Sequence, residues 1–138
     1  MSIKEERKRA SSKTLKGKSL RQPVVPESRI LKPRVRIVID FMHANLHRRT
    51  RLAELAGAAN LSPSRFSHDF KSQTGISPGE YLRRLKMEKA RDLLATTLLT
   101  IKEIMVMAGY NSKSLFVRHF RRSFGLSPTE YRKSVSSS

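Results

Sequence analysis

The sequence predicts an all-α protein of about seven helices, in which two helix-turn-helix units are joined by a long linker helix and follow a disordered basic tail. Two observations predict this fold. The chain contains an internal repeat, which indicates a duplicated structural unit, and its apolar residues recur at helical spacing after strong N-cap signals. The expected parts are a tail at 1–31, a first unit at 32–76, a linker helix at 77–95 and a second unit at 96–135.

The repeat relates residues 61–82 to residues 111–132 at a shift of fifty positions. It pairs two phenylalanines, a glycine, a Ser-Pro and a Glu-Tyr: Phe66 with Phe116, Phe70 with Phe120, Gly75 with Gly125, Ser77-Pro78 with Ser127-Pro128, and Glu80-Tyr81 with Glu130-Tyr131. Upstream of this stretch the shift falls to forty-nine, so the second copy has one extra residue near Tyr110. Turns tolerate insertions that helices do not, and we therefore place the extra residue in a turn.

The first unit is expected to contain three helices. Apolar residues recur at helical spacing over 33–46, and although the β-branched run at 35–39 is also typical of a strand, no partner strand is available. Thr50 begins a short helix, which is expected over 52–58. After a turn, Ser62 and the proline behind it supply an N-cap and a first helical residue, and Gly75 supplies a left-handed stop for the helix that ends there.

The linker helix should begin at a capping box formed by Ser77 and Glu80. Its buried side is expected to carry Leu82, Leu85, Lys86, Ala90, Leu93 and Leu94. Three further helices complete the second unit. They begin at the capping box Thr100–Glu103, at Ser112 with an end at Gly125, and at the capping box Ser127–Glu130 with an end at about Ser134.

The composition favours a partner that is a polyanion. The chain carries 29 basic and 11 acidic residues, a net charge of +18, which is far more than solubility requires and is typical of nucleic-acid-binding proteins. The absence of cysteine excludes a disulfide framework and a thiolate metal site, which fits a reducing cytoplasm. No apolar run has the length of a membrane span or the pattern of a signal peptide, so we expect a soluble intracellular protein with no membrane partner.

Half of the net charge lies at the N-terminus, because residues 1–36 contain twelve basic and three acidic residues. Lys, Arg, Ser and Pro dominate there without a helical or strand period, which predicts disorder. Two interpretations of this tail remain open: a linker or tag, or a basic arm that lies along DNA phosphates.

The helices that follow Ser62 and Ser112 each present a polar or basic outer face. Phenylalanines four residues apart mark the buried face of each helix. At about 100° per residue, the opposite faces carry Ser64, His68, Lys71 and Ser72 in the first helix, flanked by Arg65 and Ser67, and Ser114, Arg118, Arg121 and Arg122 in the second, flanked by Lys113, Leu115 and Val117. A guanidinium such as that of Arg118 can bind guanine O6 and N7 together. Lys71, Arg121 and Arg122 are expected to contact phosphates.

Catalysis is not expected. His43 and His47 stand four apart on a helix and could bind a metal ion, but no glutamate joins them in an HExxH arrangement, which favours a solvated pair. No cofactor is implied by any other pattern. Stacking of the phenylalanines on unpaired bases is a further possibility, but their helical spacing favours a core role.

These patterns resemble the AraC/XylS family of bacterial transcription regulators over residues 35–132. The most specific part is GYNSKSLFVRHFRRSFGLSPTEYR, which ends at Arg132, and Lys86-Met87 with Ala90 and Leu93-Leu94 is similar to the family's linker helix. Met105 departs from the family's usual alanine, and the turn after Tyr110 lacks the acidic residue that the family often has there. The resemblance implies base contacts from Ser64, Ser67, His68, Lys113, Ser114, Val117 and Arg118, and a phosphate contact from Arg65.

The resulting expectation is a sequence-specific transcription regulator that reads two successive major grooves of duplex DNA. The alternative is an architectural protein that binds DNA through charge and is indifferent to sequence. The resemblance also allows recruitment of RNA polymerase by a monomer on DNA, in a cytoplasmic, nucleoid-associated setting. Whether the chain is a stand-alone regulator or a fragment of a longer one stays open.

Overall fold

The computed structural model describes residues 31–137, which form seven α-helices and no strand. The helices are α1 Pro33–Ala44, α2 Leu52–Ala58, α3 Pro63–Thr74, α4 Pro78–Thr96, α5 Ile101–Met107, α6 Lys113–Phe124 and α7 Pro128–Ser136. The all-α prediction is confirmed, and so is the helical interpretation of residues 35–39. The predicted basic tail lies outside the described residues except for its last position. Across 31–137, no helix is both long and apolar enough to cross a membrane.

Side-chain caps start five of these helices where the sequence predicted them. The hydroxyl oxygens of Ser62, Ser77, Thr100, Ser112 and Ser127 each accept a hydrogen bond from the backbone N–H three residues later. Full capping boxes form at Thr100 and Ser127. Each such cap is worth about 1 kcal/mol, so the helix starts are encoded locally.

Three local predictions need correction. The expected capping box at Ser77 is half formed, because the Glu80 carboxylate pairs with the guanidinium groups of Arg83 and Arg84 instead. The first short helix spans Leu52–Ala58 as expected, but its N-cap is Arg51 rather than Thr50. The last helix continues two residues beyond the expected end, to Ser136.

The turns use left-handed residues at the expected glycines. Gly75 and Gly125 end α3 and α6 with φ of 88° and 80°, a conformation that only glycine adopts without strain. The tight turns between α2 and α3 and between α5 and α6 pass through Asn60 at φ 59° and Gly109 at φ 80°. Each unit is therefore a helix, a tight turn and a second helix, as the repeat predicts.

Each unit has its own hydrophobic core, and α4 contributes to both. Tyr81, Leu82 and Leu85 of α4 pack into the first core. Met87, Ala90 and Leu94 pack into the second, which also buries Met105, the residue that replaces the family's alanine. Leu93, expected on the buried side, is only half-buried.

The four phenylalanines of the repeat occupy the centres of these cores. Phe66, Phe70, Phe116 and Phe120 are all at most 1% exposed. They therefore pack within the protein and are not free to stack on unpaired bases.

Candidate nucleic-acid interface

The outer face of α3 carries the side chains that were predicted to contact DNA. Ser64, Arg65, His68 and Lys71 are exposed, and Ser67 is half-buried on the flank. The helix stands directly after the tight turn at Asn60, and its inner face is held in the first core by Phe66 and Phe70. The predicted residues thus share one accessible helix face.

The outer face of α6 forms an open surface groove. The groove is lined by the full set of residues predicted for the second helix: Lys113, Ser114, Val117, Arg118, Arg121 and Arg122. All are exposed except Val117, which is half-buried. A groove that combines the apolar Val117 with basic side chains suits a nucleic-acid edge, because one helix can then contact both thymine methyl groups and phosphates.

The two faces differ in how far their charges are neutralised. On α3, the Arg65 guanidinium lies 3.2 Å from the Asp69 carboxylate. On α6, Arg121 lies 3.6 Å from Glu130. No carboxylate of residues 31–137 pairs with Lys113, Arg118 or Arg122, so these cations are available to an external anion.

Behind the outer face of α6, Tyr110 and His119 form a polar contact that the sequence reasoning missed. The Tyr110 hydroxyl and His119 Nδ1 are 2.6 Å apart, and their rings pack edge to face. Burial raises the pKa of Tyr110 to about 12. Partial burial, followed by the charges of Arg83, Arg118 and Arg122, lowers the pKa of His119. The Gly-Tyr before α6 and the histidine in the middle of the helix were visible signals, but only the fold shows that they meet.

A second contact that the sequence reasoning missed holds α7 against the end of the linker. The Arg132 guanidinium donates hydrogen bonds to the backbone carbonyls of Leu94 and Thr97, both at 3.2 Å, and to that of Leu99. It thereby satisfies carbonyls that the C-terminus of α4 leaves without helical partners. The position was noted only as part of the family pattern, with no role attached.

The possible histidine metal site gains no support. His43 and His47 are both exposed, His43 within α1 and His47 beyond its end. Among residues 31–137, no three His, Asp or Glu side chains converge in a way that could hold a metal ion.

Comparison with known proteins identifies the repeat-containing region as a helix-turn-helix domain. A family model described as a helix-turn-helix domain matches residues 55–134. The chain is 33% identical over 96 residues to the probable transcriptional regulator LumQ of Photobacterium leiognathi. The aligned region covers 70% of this chain and 39% of LumQ. The chain thus spans well under half the length of this relative.

Solved structures of similar fold include DNA-binding domains. The DNA-binding domain of AdpA, a global transcriptional factor determined in complex with a target DNA, superimposes with a TM-score of 0.74 and 28% identity, over 77% of this chain and 96% of that one. A transcriptional regulator from Chromobacterium violaceum, described as AraC-type, gives a TM-score of 0.70 and 26% identity, over 75% of this chain and 93% of its own.

Proposed function

The chain belongs to the AraC/XylS family of helix-turn-helix transcription regulators, and we propose that it binds duplex DNA sequence-specifically through α3 and α6 in successive major grooves. The observation that carries this proposal is the duplicated architecture of the outer faces. Each unit exposes a polar or basic face on its second helix and anchors the opposite face in a separate core through two phenylalanines. Both copies therefore expose the equivalent helix face, although the residues on the two faces differ.

In this proposal the two faces divide their contacts between bases and phosphates. Ser64, Ser67 and His68 on α3, and Lys113, Ser114, Val117 and Arg118 on α6, contact base edges. Arg65, Lys71, Arg121 and Arg122 contact phosphates. Residues 32–76 and 96–135 act as the two reading units, and residues 77–95 hold them apart.

The length of α4 supports simultaneous reading of two grooves. Its 19 residues span about 28 Å at 1.5 Å per residue. Successive major grooves on one DNA face are about 34 Å apart, and the helical units at either end of α4 add to its reach.

The partner of this chain is duplex DNA, and the remaining partners follow from the family alone. We include in the proposal that the chain binds as a monomer, contacts RNA polymerase, and acts in the cytoplasm on the nucleoid. A gel-shift titration against a fixed duplex tests the first of these, and we expect a stoichiometry of one chain per site.

The proposal is tested first by selection of bound sequences from a random duplex library. A sequence-specific regulator enriches two motifs at a fixed separation and binds the selected site roughly 10³-fold or more tightly than random duplex at equal salt. The alternative, an architectural binder, is favoured by the +18 charge. It would enrich no motif and would bind every duplex with similar affinity.

The second test changes the phase of the two units. Insertion of two alanines after Lys89 lengthens α4 by about 3 Å but rotates the second unit by about 200° relative to the first. We expect the variant to keep weak non-specific binding and to lose most of its affinity for the selected site, with circular dichroism confirming that it is still helical. Parent-like affinity in a folded variant would contradict reading by a rigid pair of helices.

A further inference from the structure

A buried lysine lies in the middle of the linker helix, between the two units. Lys86 is 8% exposed. Its Nζ donates hydrogen bonds to the backbone carbonyls of Leu46 at 2.8 Å, Arg48 at 2.9 Å and Ala108 at 3.2 Å. An ammonium group has three donors, so all of them are used, and all of the acceptors belong to the protein backbone.

The three acceptors come from both sides of the molecule. Leu46 and Arg48 lie in the segment between α1 and α2 of the first unit. Ala108 is the C-cap of α5 in the second unit. In sequence, Lys86 separates Leu85, which packs in the first core, from Met87, which packs in the second. One ammonium group therefore connects the two units directly, at the point where α4 passes from one core to the other.

The turn at Gly109 is shaped around this ammonium group. A Cβ at position 109 would lie 2.4 Å from Lys86 Nζ and 2.8 Å from the carbonyl oxygen of Leu46. The glycine is thus required by the close approach of the first unit, as well as by its φ of 80°. The backbone of the second unit touches the first unit here with no room for a side chain.

A buried charge in this position costs desolvation free energy that an apolar side chain would not. Burial and the neighbouring Arg48 guanidinium lower the pKa of Lys86 to about 8, which still leaves the ammonium form dominant at neutral pH. Apolar residues of similar volume are often as stabilising as a buried charge, whereas a buried polar group can select one arrangement over others. The three directional hydrogen bonds of Lys86 reach both units and fix the orientation of one unit relative to the other. Apolar packing at this position would restrict that orientation less.

We propose that Lys86 is a positioning residue that fixes the orientation of the second unit relative to the first, and that it thereby sets the half-site separation at which DNA is bound. The inference rests on the proposed function for its DNA consequence. The inferred orientation of the two units is a property of the free protein and does not depend on DNA binding.

The first experiment measures the arrangement without DNA. The chain contains no cysteine, so spin labels can be attached at Ser72→Cys on α3 and Thr129→Cys on α7, both exposed positions. With Lys86 intact, we expect one narrow distribution of label-to-label distances. Lys86→Met preserves the length of the side chain and removes all three bonds, so it should broaden the distribution. Lys86→Gln retains N–H donors on a shorter side chain and should broaden it less.

Lys89→Met is the matched control. It removes the same charge from the same helix, but Lys89 is only half-buried. We expect its distance distribution to remain as narrow as that of the parent. Broadening to the same extent as in Lys86→Met would show that loss of any linker lysine loosens the protein, which would overturn the proposal.

The second experiment measures binding to the selected duplex and to the same duplex with about five base pairs, half a helical turn, inserted between the half-sites. The parent and Lys89→Met should discriminate strongly between the two. Flexible coupling of the two units lowers the effective concentration of the second unit at the correct spacing and lets the units reach the altered spacing more easily. Lys86→Met should therefore reduce the ratio of the two affinities by roughly tenfold or more. Its affinity for an isolated half-site should stay unchanged.

The outcomes separate this inference from the proposed function. If the parent shows no sequence preference, the proposed function fails, and the distance measurement still decides the role of Lys86. A narrow, parent-like distribution in Lys86→Met would overturn the inference. Loss of helical signal in both Lys86→Met and Lys86→Gln would also overturn it, because Lys86 would then maintain the fold of the units and not their orientation.

Discussion

The two recognition helices, α3 and α6, share their buried faces and differ in their exposed ones. At equivalent positions both bury a pair of phenylalanines in a core. On the outside, α3 carries two basic residues and one acid, whereas α6 carries four basic residues and no acid. Paired across the fifty-residue shift, the differences on the outer faces and their flanks include Pro63 with Lys113, Arg65 with Leu115, Ser67 with Val117, His68 with Arg118, Asp69 with His119, and Ser72 with Arg122.

This difference separates what the fold requires from what binding requires. Both inner faces pack into a core, and both do so with the same pair of phenylalanines. Packing does not constrain the outer faces, of which that of α6 is cationic and that of α3 is polar and nearly neutral. We infer that α6 supplies most of the electrostatic attraction for DNA, and that α3 contributes mainly hydrogen bonds.

The largest expected effects test the similarity of the two cores. Phe70→Ala and Phe120→Ala each remove a fully buried ring, and each should lower the free energy of unfolding by about 3–5 kcal/mol. Urea titration followed by circular dichroism measures both, with the exposed substitution Thr129→Ala as a control. A loss several kcal/mol larger for one phenylalanine would show that the two cores are not equivalent.

The next effect tests the difference between the outer faces. Arg118→Ala removes a guanidinium that has no carboxylate partner within residues 31–137, and should cost about 1–3 kcal/mol of binding with relaxed preference at one base pair. His68→Ala, its counterpart on α3, should cost less, about 1 kcal/mol, because it removes at most one hydrogen bond to a base. Binding to all single-base variants of the selected site measures both. An equal loss on every sequence would make Arg118 a phosphate contact.

The fold and the outer faces could be predicted from the sequence because both depend on local patterns. Helix starts follow from hydroxyl caps such as Ser62 and Thr100, and each binding face follows from counting around a helix from its phenylalanines. The family pattern added which positions on those faces are expected to contact bases. None of these inferences needs information about how distant segments meet.

The contacts between distant segments could not be predicted in this way. Lys86 was placed on the buried side of the linker helix by its spacing, but its carbonyl partners lie 22 to 40 residues away. Arg132 similarly serves carbonyls at least 33 residues away. Backbone carbonyls leave no signature in a sequence. The one available signal was a lysine among apolar positions, which marks a buried charge that needs partners.

A smaller effect concerns the salt dependence of binding. Arg122→Ala should reduce the slope of log affinity against log salt by about 1, because one phosphate contact is lost. The converse change at the equivalent position of α3, Ser72→Arg, should increase the slope by about 1. Lys133→Ala, on the exposed surface of α7, is the control for net charge. If all three substitutions changed the slope equally in magnitude, total charge and not the outer faces would govern binding.

The smallest expected effect is a difference between the two units in how stability depends on pH. It arises at the equivalent positions Asp69 of α3 and His119 of α6. The His119 imidazole faces the Tyr110 hydroxyl, the Arg83 guanidinium of α4, and Arg118 and Arg122 of its own helix. Partial burial, with these cations, holds the pKa of His119 below its ordinary value near 6.5. The unfolded chain therefore takes up a proton at higher pH than the folded protein does. The stability associated with neutral His119 is complete above about pH 6.5 and is lost as the pH falls from there toward the lowered pKa.

Melting temperatures measured between about pH 7.5 and 5 should fall more steeply for the parent than for His119→Gln, which cannot take up a proton in this range. Asp69→Asn, at the equivalent position of α3, should leave the slope of the parent unchanged, because it leaves His119 and the groups around it in place. DNA phosphates bound at Arg118 and Arg122 would offset the nearby positive charge, so the pH dependence should also weaken when the selected duplex is present. A slope in His119→Gln as steep as in the parent would assign the pH dependence to another group and would remove this distinction between the two units.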